Sequence, residues 1–556
     1  MSEEAQVSFK DKKQFTKEDL LNLKEKCFHS APIRERIYKR YRDYYFNGSY
    51  AGKATVNKIF GEVNNYLSLI YSPTEVIIEP QFEPDVSSDL DFIIYKLADV
   101  VEYELDKNKM NFQFSKMLKM ALIDGTAVVK LEYKEGVKWT YIKPENFGVL
   151  YEDLDLDSRE QIIGHKTFVT KRYLEKYFPD VARKASKTIE KEEDNKLIAL
   201  FSPDASQPKS PLTEESEAQT TGRVYKDTDD EDYTYSKNGE IVYPAYELYY
   251  YNNGWNVSII VADTILTTKK ISIVPFMLIT PIENPLSFWG ISLVSVIEKI
   301  QEKRNDVLNN IDNTVELTTN PPLVVTGYQM TEEMIREEAD NLREPNGISI
   351  IQGQNIKVDP YIPRLNIPDA FNQLDWYDMQ TKFITGINEI LMGQAQKNVR
   401  SGQYASMLAQ FASTDVKVIA ENVESQYEEL ITTTAKIIQH ESTTSYKQVI
   451  QGKVYTYTFS MYPNDYRLKV YAHTSSPITT EQNMKLIISL MQAGIIPADV
   501  GIKVLPLPYK KKIEEYIKIK EAQQAQQQAQ QAQQAQKEQS KKASENEHKK
   551  SKKEVI

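Results

Sequence analysis

The sequence predicts an α+β fold, mainly helical, and three observations carry that expectation. Apolar residues recur at intervals of three and four over long stretches. Short alternating runs are joined by hairpin signals such as Asn252-Asn253-Gly254. Near the N-terminus several helices come first and a small sheet follows, an order that suits α+β better than alternating βαβ units. At 556 residues the chain is long enough for several domains of roughly 100–200 residues each.

Taken in order, residues 16–47 read as one helix, with Thr16 and Asp19 placed as a cap and its partner. Its basic residues Arg34, Arg36, Lys39, Arg40 and Arg42 interleave with Tyr38, Tyr41, Tyr44 and Tyr45. That mixture can bind nucleic acid, but a solvated face beside a packed one is the favoured reading. Val56, Ile59, Phe60, Val63, Leu67 and Ile70 predict a second helix, closed by Pro73. A strand is expected at 75–79, then helices at 88–106 and 112–123, the last stopped by Gly125 in the manner of a C-cap. Residues 126–133 and 137–142 read as a hairpin. Residues 203–232, poor in apolar side chains, are expected to be a mobile loop. Beyond it, 247–251 and 255–261 form a second hairpin. Neighbouring strand residues point to opposite faces, so Tyr249, Tyr250 and Tyr251 cannot form one stacking platform.

The most distinctive unit spans residues 288–392: a long helix, a compact insert and a returning helix. The outgoing helix, read as 291–319, would be roughly 45 Å long, beyond the usual three or four turns. Leu293, Ile297, Ile300, Val307, Ile311 and Val315 form one stripe on it, and Glu298, Glu302, Asn305, Asp306, Asn309, Asn310 and Asn313 the opposite face. Asn320-Pro321-Pro322 ends it, Pro368-Asp369 starts the returning helix, which is read to about Met392, and a polar loop, 394–402, follows. Two such helices around a small lobe suit a part that stands in a wall and projects a tip, which is an architecture for assembly.

A third long helix is expected at 403–440, with Ala412, Val416, Ile419, Val423, Tyr427 and Leu430 on one face. Residues 454–459 and 467–471 read as strands paired with each other, and helices are expected at 480–493 and 498–504. The last helix continues into a Gln/Ala tract, 522–536, where alanines recur at three and four. Such a seam buries too little area to hold a lone helix in water. The tract is therefore either disordered or packed against neighbouring copies.

Composition narrows the function. No apolar run approaches the roughly 20 residues of a membrane span, and Met1-Ser2-Glu3-Glu4 has no mark of a secretion signal. The single cysteine, Cys27, excludes an internal disulfide and is expected to pack in its helix. There are 68 basic and 79 acidic residues, a net charge of −11. Tight grip on duplex DNA would favour the opposite sign; a ring of such chains would instead present an acidic lumen that repels phosphates. No phosphate-binding loop is present, and the five histidines lack metal-ligand spacing. Asp153, Asp155 and Asp157 begin like a calcium loop, but Ser158 and Gly164 stand where its glycine and glutamate are needed, so an acidic turn is expected. No catalytic residues, metal site or cofactor are expected, and the protein is not read as an enzyme.

One ordered set of short strings remains: Val76-Ile77-Ile78-Glu79-Pro80, Asp124-Gly125, Lys143-Pro144-Glu145-Asn146-Phe147, Pro275-Phe276, Trp289-Gly290, Asn320-Pro321-Pro322, Glu344-Pro345-Asn346-Gly347, Ile384-Thr385-Gly386 and Ser401-Gly402. In this order the strings resemble the portal proteins of tailed bacteriophages, of the short-tailed type, and the resemblance covers most of the chain. It implies a homo-oligomeric ring, typically of twelve copies, at one capsid vertex of the virion. Double-stranded DNA would enter through it during packaging and leave at ejection, without sequence-specific contact. Implied partners are the terminase packaging motor, a head-to-tail adaptor, and the major capsid and scaffold proteins; assembly would occur in the host cytoplasm.

By the same resemblance, residues 1–285 correspond to a wing, 286–320 and 366–392 to the two stem helices, and 321–365 to a clip. Residues 393–402 correspond to a tunnel loop, 403–478 to the wing's long helix and strands, 479–520 to a crown, and 521–556 to a barrel or disordered tail. Lys397, Asn398 and Arg400 become candidates for DNA contact in the tunnel, as positioning rather than sequence readout; the alternative is that the two cations are merely solvated. Glu298, Glu302, Asn305 and Asn309 become candidates for the channel face of the stem, and Arg336, Glu337, Glu338 and Arg343 for partner docking on the clip. The competing expectation is a glycan-degrading or host-surface-binding phage enzyme, with the tyrosine-rich hairpin and residues 153–157 in its cleft.

Overall fold

The computed structural model describes residues 15–50, 56–71, 77–82, 91–185, 242–319, 321, 323–326, 348–351, 357–360, 367–387, 414–450, 453–462, 466–471 and 488–492. The chain divides into two compact units, Met1–Thr474 and Ser475–Ile556. In the second, residues 488–492 are helical.

Helix α1 (Lys17–Cys27) opens on the expected capping box. Thr16 Oγ1 accepts from the Asp19 amide at 3.2 Å, and Asp19 Oδ2 accepts from the Thr16 amide at 2.9 Å. The single helix expected at 16–47 is, however, broken into two. The Phe28 amide turns back to the Lys24 and Lys26 carbonyls, and Pro32 sits in the first turn of a new helix, α2 (Ala31–Asn47). A proline lacks the amide proton that an interior turn needs but loses nothing in a first turn.

Helices α3 (Lys58–Ile70), α4 (Phe92–Lys107) and α5 (Met110–Asp124) build the main core together with α9 (Thr414–Glu441). The stripe expected on α9 is there: Val416, Val423, Tyr427 and Leu430 are buried and Ile419 partly so. Ala412 lies outside the described residues. Tyr427 is wedged among the rings of Tyr71, Phe114 and Trp139, with centroids 6.0, 4.5 and 6.4 Å away.

Strands β2 (Ala127–Tyr133) and β3 (Val137–Ile142) form the expected hairpin, and β9 (Phe276–Ile279) adds to the other edge of β2. A five-stranded antiparallel sheet runs in chain order through β4 (Phe147–Val149), β5 (Ile163–Thr170), β6 (Val242–Tyr251), β7 (Trp255–Val261) and β8 (Thr264–Ile271), with the short helix α6 (Lys171–Tyr177) directly after β5. Its β6–β7 turn places Asn253 and Gly254 at positive φ, as the Asn-Gly signal requires. Tyr249 packs on Phe276 between the two sheets, whereas Tyr250 packs with Leu20 and Leu23 of α1 on the opposite face.

The strand pairing near the C-terminal end of this unit differs from expectation. Residues 454–459 and 467–471 do not pair with each other. β14 (Lys453–Tyr457) pairs with β13 (Tyr446–Ile450), its neighbour in the chain, where little loop entropy is lost on closure. β15 (Tyr466–Tyr471) pairs antiparallel with β1 (Ile77–Phe82). Leu468 and Tyr466 of β15 are buried in the main core, so burial beside α9 fixes that strand and β1 completes it. Cys27 packs as expected: it is buried, and burial pushes its thiol up to about 12.

Candidate channel and docking surfaces

Helix α7 (Leu293–Thr319) has 27 residues, about 40 Å of helix. Its first turns belong to the main core through Leu293, Val294 and Ile297. From Val307 onward its apolar side chains meet α8 (Ile367–Thr385) alone, in a separate small cluster of Val307, Leu308, Ile311, Ala370 and Leu374. Burying Ile311 and Leu374 contributes roughly 1.5–3 kcal/mol each, and the partly buried Val307 and Leu308 contribute less. The pair is thus rooted in the core and leaves it together.

Between the two helices the chain forms a three-stranded sheet of β10 (Leu323–Thr326), β11 (Ile348–Ile351) and β12 (Lys357–Pro360). β10 is central, parallel to β11 and antiparallel to β12. α8 stops at Thr385, short of the expected Met392. Thr385 Oγ1 donates back to the Thr381 carbonyl at 2.9 Å, and Gly386 takes φ 69, which ends the helix.

The root of α7 is held by backbone contact. Gly125, at φ 89, closes α5, and a methyl group there would lie 2.4 Å from the Gly290 carbonyl oxygen. The reciprocal methyl on Gly290 would lie 2.4 Å from the Gly125 oxygen. This approach lets the Gly290 amide donate to Thr126 Oγ1 at 2.8 Å and the Ile291 amide to the Ile282 carbonyl at 2.8 Å. Ser292 donates to the Ile123 carbonyl and caps the helix by accepting from the Ser295 amide.

Above that root, α7 is tied sideways by polar contacts within its own subunit. Glu298, expected on a channel face, is buried and accepts from Arg40 Nη2 at 2.6 Å. Burial raises its carboxyl, partly offset by Arg40. Glu302 accepts from the Tyr44 hydroxyl at 2.5 Å, and that bond lowers its pKa while burial and the carboxylate push the phenol up. Asn305 donates to the Gly48 carbonyl at 2.9 Å. Gln301 accepts from the Lys58 amide and donates to the Val56 carbonyl. Asp378 of α8 receives Arg304 Nε at 2.9 Å and Lys58 Nζ at 3.1 Å.

Three of the four stem candidates are therefore engaged by α2 or the turn after it. Asn309 is exposed, as are Asp312, Asn313 and Glu316 along the same flank. Lys397, Asn398 and Arg400, and likewise Arg336, Glu337, Glu338 and Arg343, lie outside the described residues, as do the 203–232 loop and the Gln/Ala tract.

Two charge clusters were missed by the sequence reading, and the first of them, fully buried, adjoins this root at Asp124. Arg42 reaches Asp124 with Nη2 at 2.8 Å and Glu145 with Nη1 at 2.7 Å, all three side chains being nearly inaccessible. Tyr141 donates to the same Asp124 at 3.1 Å. Complete burial outweighs the guanidinium beside it and pushes Asp124 up to about 6. Burial also works against the charged Arg42, but Asp124 and Glu145 overcome it and raise its pKa. In the second cluster Glu247 accepts from Lys130 Nζ at 2.8 Å and the Tyr249 hydroxyl at 2.8 Å and lies 2.9 Å from His165 Nδ1. Burial alone would raise this carboxyl; the His165 and Lys130 contacts outweigh it and hold Glu247 at about 2. Two of the α2 arginines are thus withdrawn from the surface: Arg42 is spent on carboxylates, and Arg34 stacks on Trp289 at 4.3 Å while donating to the Phe147 carbonyl. A signal for the first cluster existed, since Asp124-Gly125 and Lys143-Pro144-Glu145 are among the strings that carry the family resemblance.

Among the described residues no helix is long and apolar enough to cross a membrane. No curated protein matches the chain. The family model described as Phage SU10 portal protein matches residues 74–554.

Proposed function

The chain belongs to the phage SU10 portal protein family, and from that premise we propose that its copies close into a ring of twelve whose axis is the DNA channel. The protein acts as a phage portal, the passage for packaging and ejection at the capsid vertex, and its part is mechanical. In the proposed ring, α7 and α8 are the stem, the lobe of β10, β11 and β12 is the clip that meets the packaging motor and later the tail adaptor, and residues 393–402 are the tunnel loop.

The observation that carries this reading, beside the family match, is the helix pair that leaves the main core with its own apolar seam and returns around a small sheet. A hydrolase would instead gather its polar groups in one cleft. Here Tyr249 and Tyr250, two of the tyrosines that the enzyme reading would place in a cleft, are buried on opposite faces of a sheet, with hydroxyls spent on Glu247 and Ser258.

Glu298, Glu302 and Asn305 are assigned to anchoring α7, and the channel role passes to the exposed flank of Asn309, Asp312, Asn313 and Glu316. Carboxylates there keep DNA from adhering as it moves. Lys397, Asn398 and Arg400 supply the few phosphate contacts at the constriction, and Arg336, Glu337, Glu338 and Arg343 the docking charges of the clip. Electron microscopy of the purified protein tests the proposal: rings with an open axis are expected, and compact monomers or trimers would refute it.

A further inference from the structure

Helix α8 buries one side and leaves an equally apolar side exposed. At about 100° per residue, Ala370, Leu374 and Thr381 share the arc that meets α7. Trp376, Met379 and Phe383 share the opposite arc, and they are 53%, 57% and 81% exposed. With aromatic side chains offering about 150–250 Å² each, the stripe exposes on the order of 400 Å² of apolar area, at the scale of a functional patch. Exposed Asp375 borders the stripe on the Met379 side, and exposed Asp369 lies in line with Trp376 two turns earlier.

A second apolar patch of the same subunit borders the first turns of α7. Ile33 and Ile37 of α2 are exposed, one turn apart. Arg34, next to Ile33, stacks on Trp289, and Arg40, one turn from Arg36, reaches Glu298. That places the two isoleucines against the base of the stem. The exposed charge between them is Arg36, opposite in sign to Asp375.

We propose that the Trp376–Met379–Phe383 stripe of one copy docks on the Ile33–Ile37 patch of the next copy, with Asp375 facing Arg36. A closed ring requires two different, complementary surfaces on every subunit, and these two patches differ in position and in charge as that requires. The inference rests on the ring reading above and adds to it which residues close the ring.

The test uses the full chain. Wild type, Met379→Glu/Phe383→Asp, Ile37→Glu and the control Tyr103→Asp at an exposed position of α4 are compared by light scattering across a dilution series and by electron microscopy, with circular dichroism reporting the fold. The first two variants are expected to keep their helix content and raise the concentration at half-assembly at least a hundredfold, while the control assembles like wild type. Rings formed by Met379→Glu/Phe383→Asp at wild-type concentration would overturn this interface and leave the ring reading standing. A wild type that never forms rings would overturn both. A photo-reactive benzoylphenylalanine in place of Phe383 gives an independent readout in an assembled ring. Cross-links to residues 31–40 of a neighbour support the assignment, and cross-links only elsewhere overturn it.

Discussion

Replacing Arg42 with methionine keeps the aliphatic stem and removes the charge between Asp124 and Glu145. The guanidinium makes contacts of 2.7–3.3 Å to both carboxylates, and side-chain exposures of 9%, 0% and 8% leave no solvent to replace it. Breaking a buried pair from one side costs about 3–5 kcal/mol, because the remaining charge is stranded. The variant should lose that much in urea unfolding at pH 7, read by tryptophan fluorescence. The deficit should depend on pH. Asp124 already titrates at about 6 in the folded protein against an ordinary 3.8, so its contribution is fully present below pH 3.8 and is lost as pH rises through about 6. Without Arg42 its pKa rises further, since the guanidinium is what lowers it. Acidifying from pH 7 to 5 should then return up to about 2.7 kcal/mol to the variant, at roughly 1.36 kcal/mol per unit. Arg42→Met/Asp124→Asn, which neutralises the stranded charge, should recover part of the loss at pH 7. An equal deficit at both pH values, or no recovery in the double variant, would refute the account.

Three further outcomes are expected. Gly290→Ala places a methyl against the Gly125 carbonyl and should destabilise the protein by about 1–3 kcal/mol by overpacking; thermal melting checks it, and an unchanged midpoint would show that the root of α7 yields freely. Glu247, held at about 2 against an ordinary 4.5, contributes stability that is present above pH 4.5 and lost as pH falls through about 2. Glu247→Gln should therefore lose about 3 kcal/mol at neutral pH and show a flatter acid limb in unfolding scans. Lys397→Ala/Arg400→Ala should leave ring assembly intact while altering DNA packaging or retention, and normal packaging would remove those side chains from the tunnel.

Periodicity and punctuation made much of the local structure legible. The Thr16–Asp19 cap, the β2–β3 and β6–β7 hairpins, the Gly125 stop and the stripe of α9 follow from residues close together in the chain. The break between α1 and α2 was signalled by Pro32 but lost in the longer pattern. The partners of β14 and β15 were misassigned because strand character says nothing about which edge a strand will find. Long-range burial decides that, and Leu468 sits beside α9 only once the chain has folded.

The polar face of α7 shows where the division lies. The amphipathic pattern by itself determined that Leu293–Thr319 is a long helix with one apolar and one polar side, because the period of 3.6 residues is a local property. The order of its motifs likewise determined the family. Tertiary structure alone decided that the upper part of the polar side, Glu298, Glu302 and Asn305, is spent on Arg40, Tyr44 and the Gly48 carbonyl, while the lower part from Asn309 stays exposed. A carboxylate looks the same in sequence whether it faces solvent or an arginine. Only the packing of α2 against one end of the helix, and of nothing described on that flank at the other, tells the two apart.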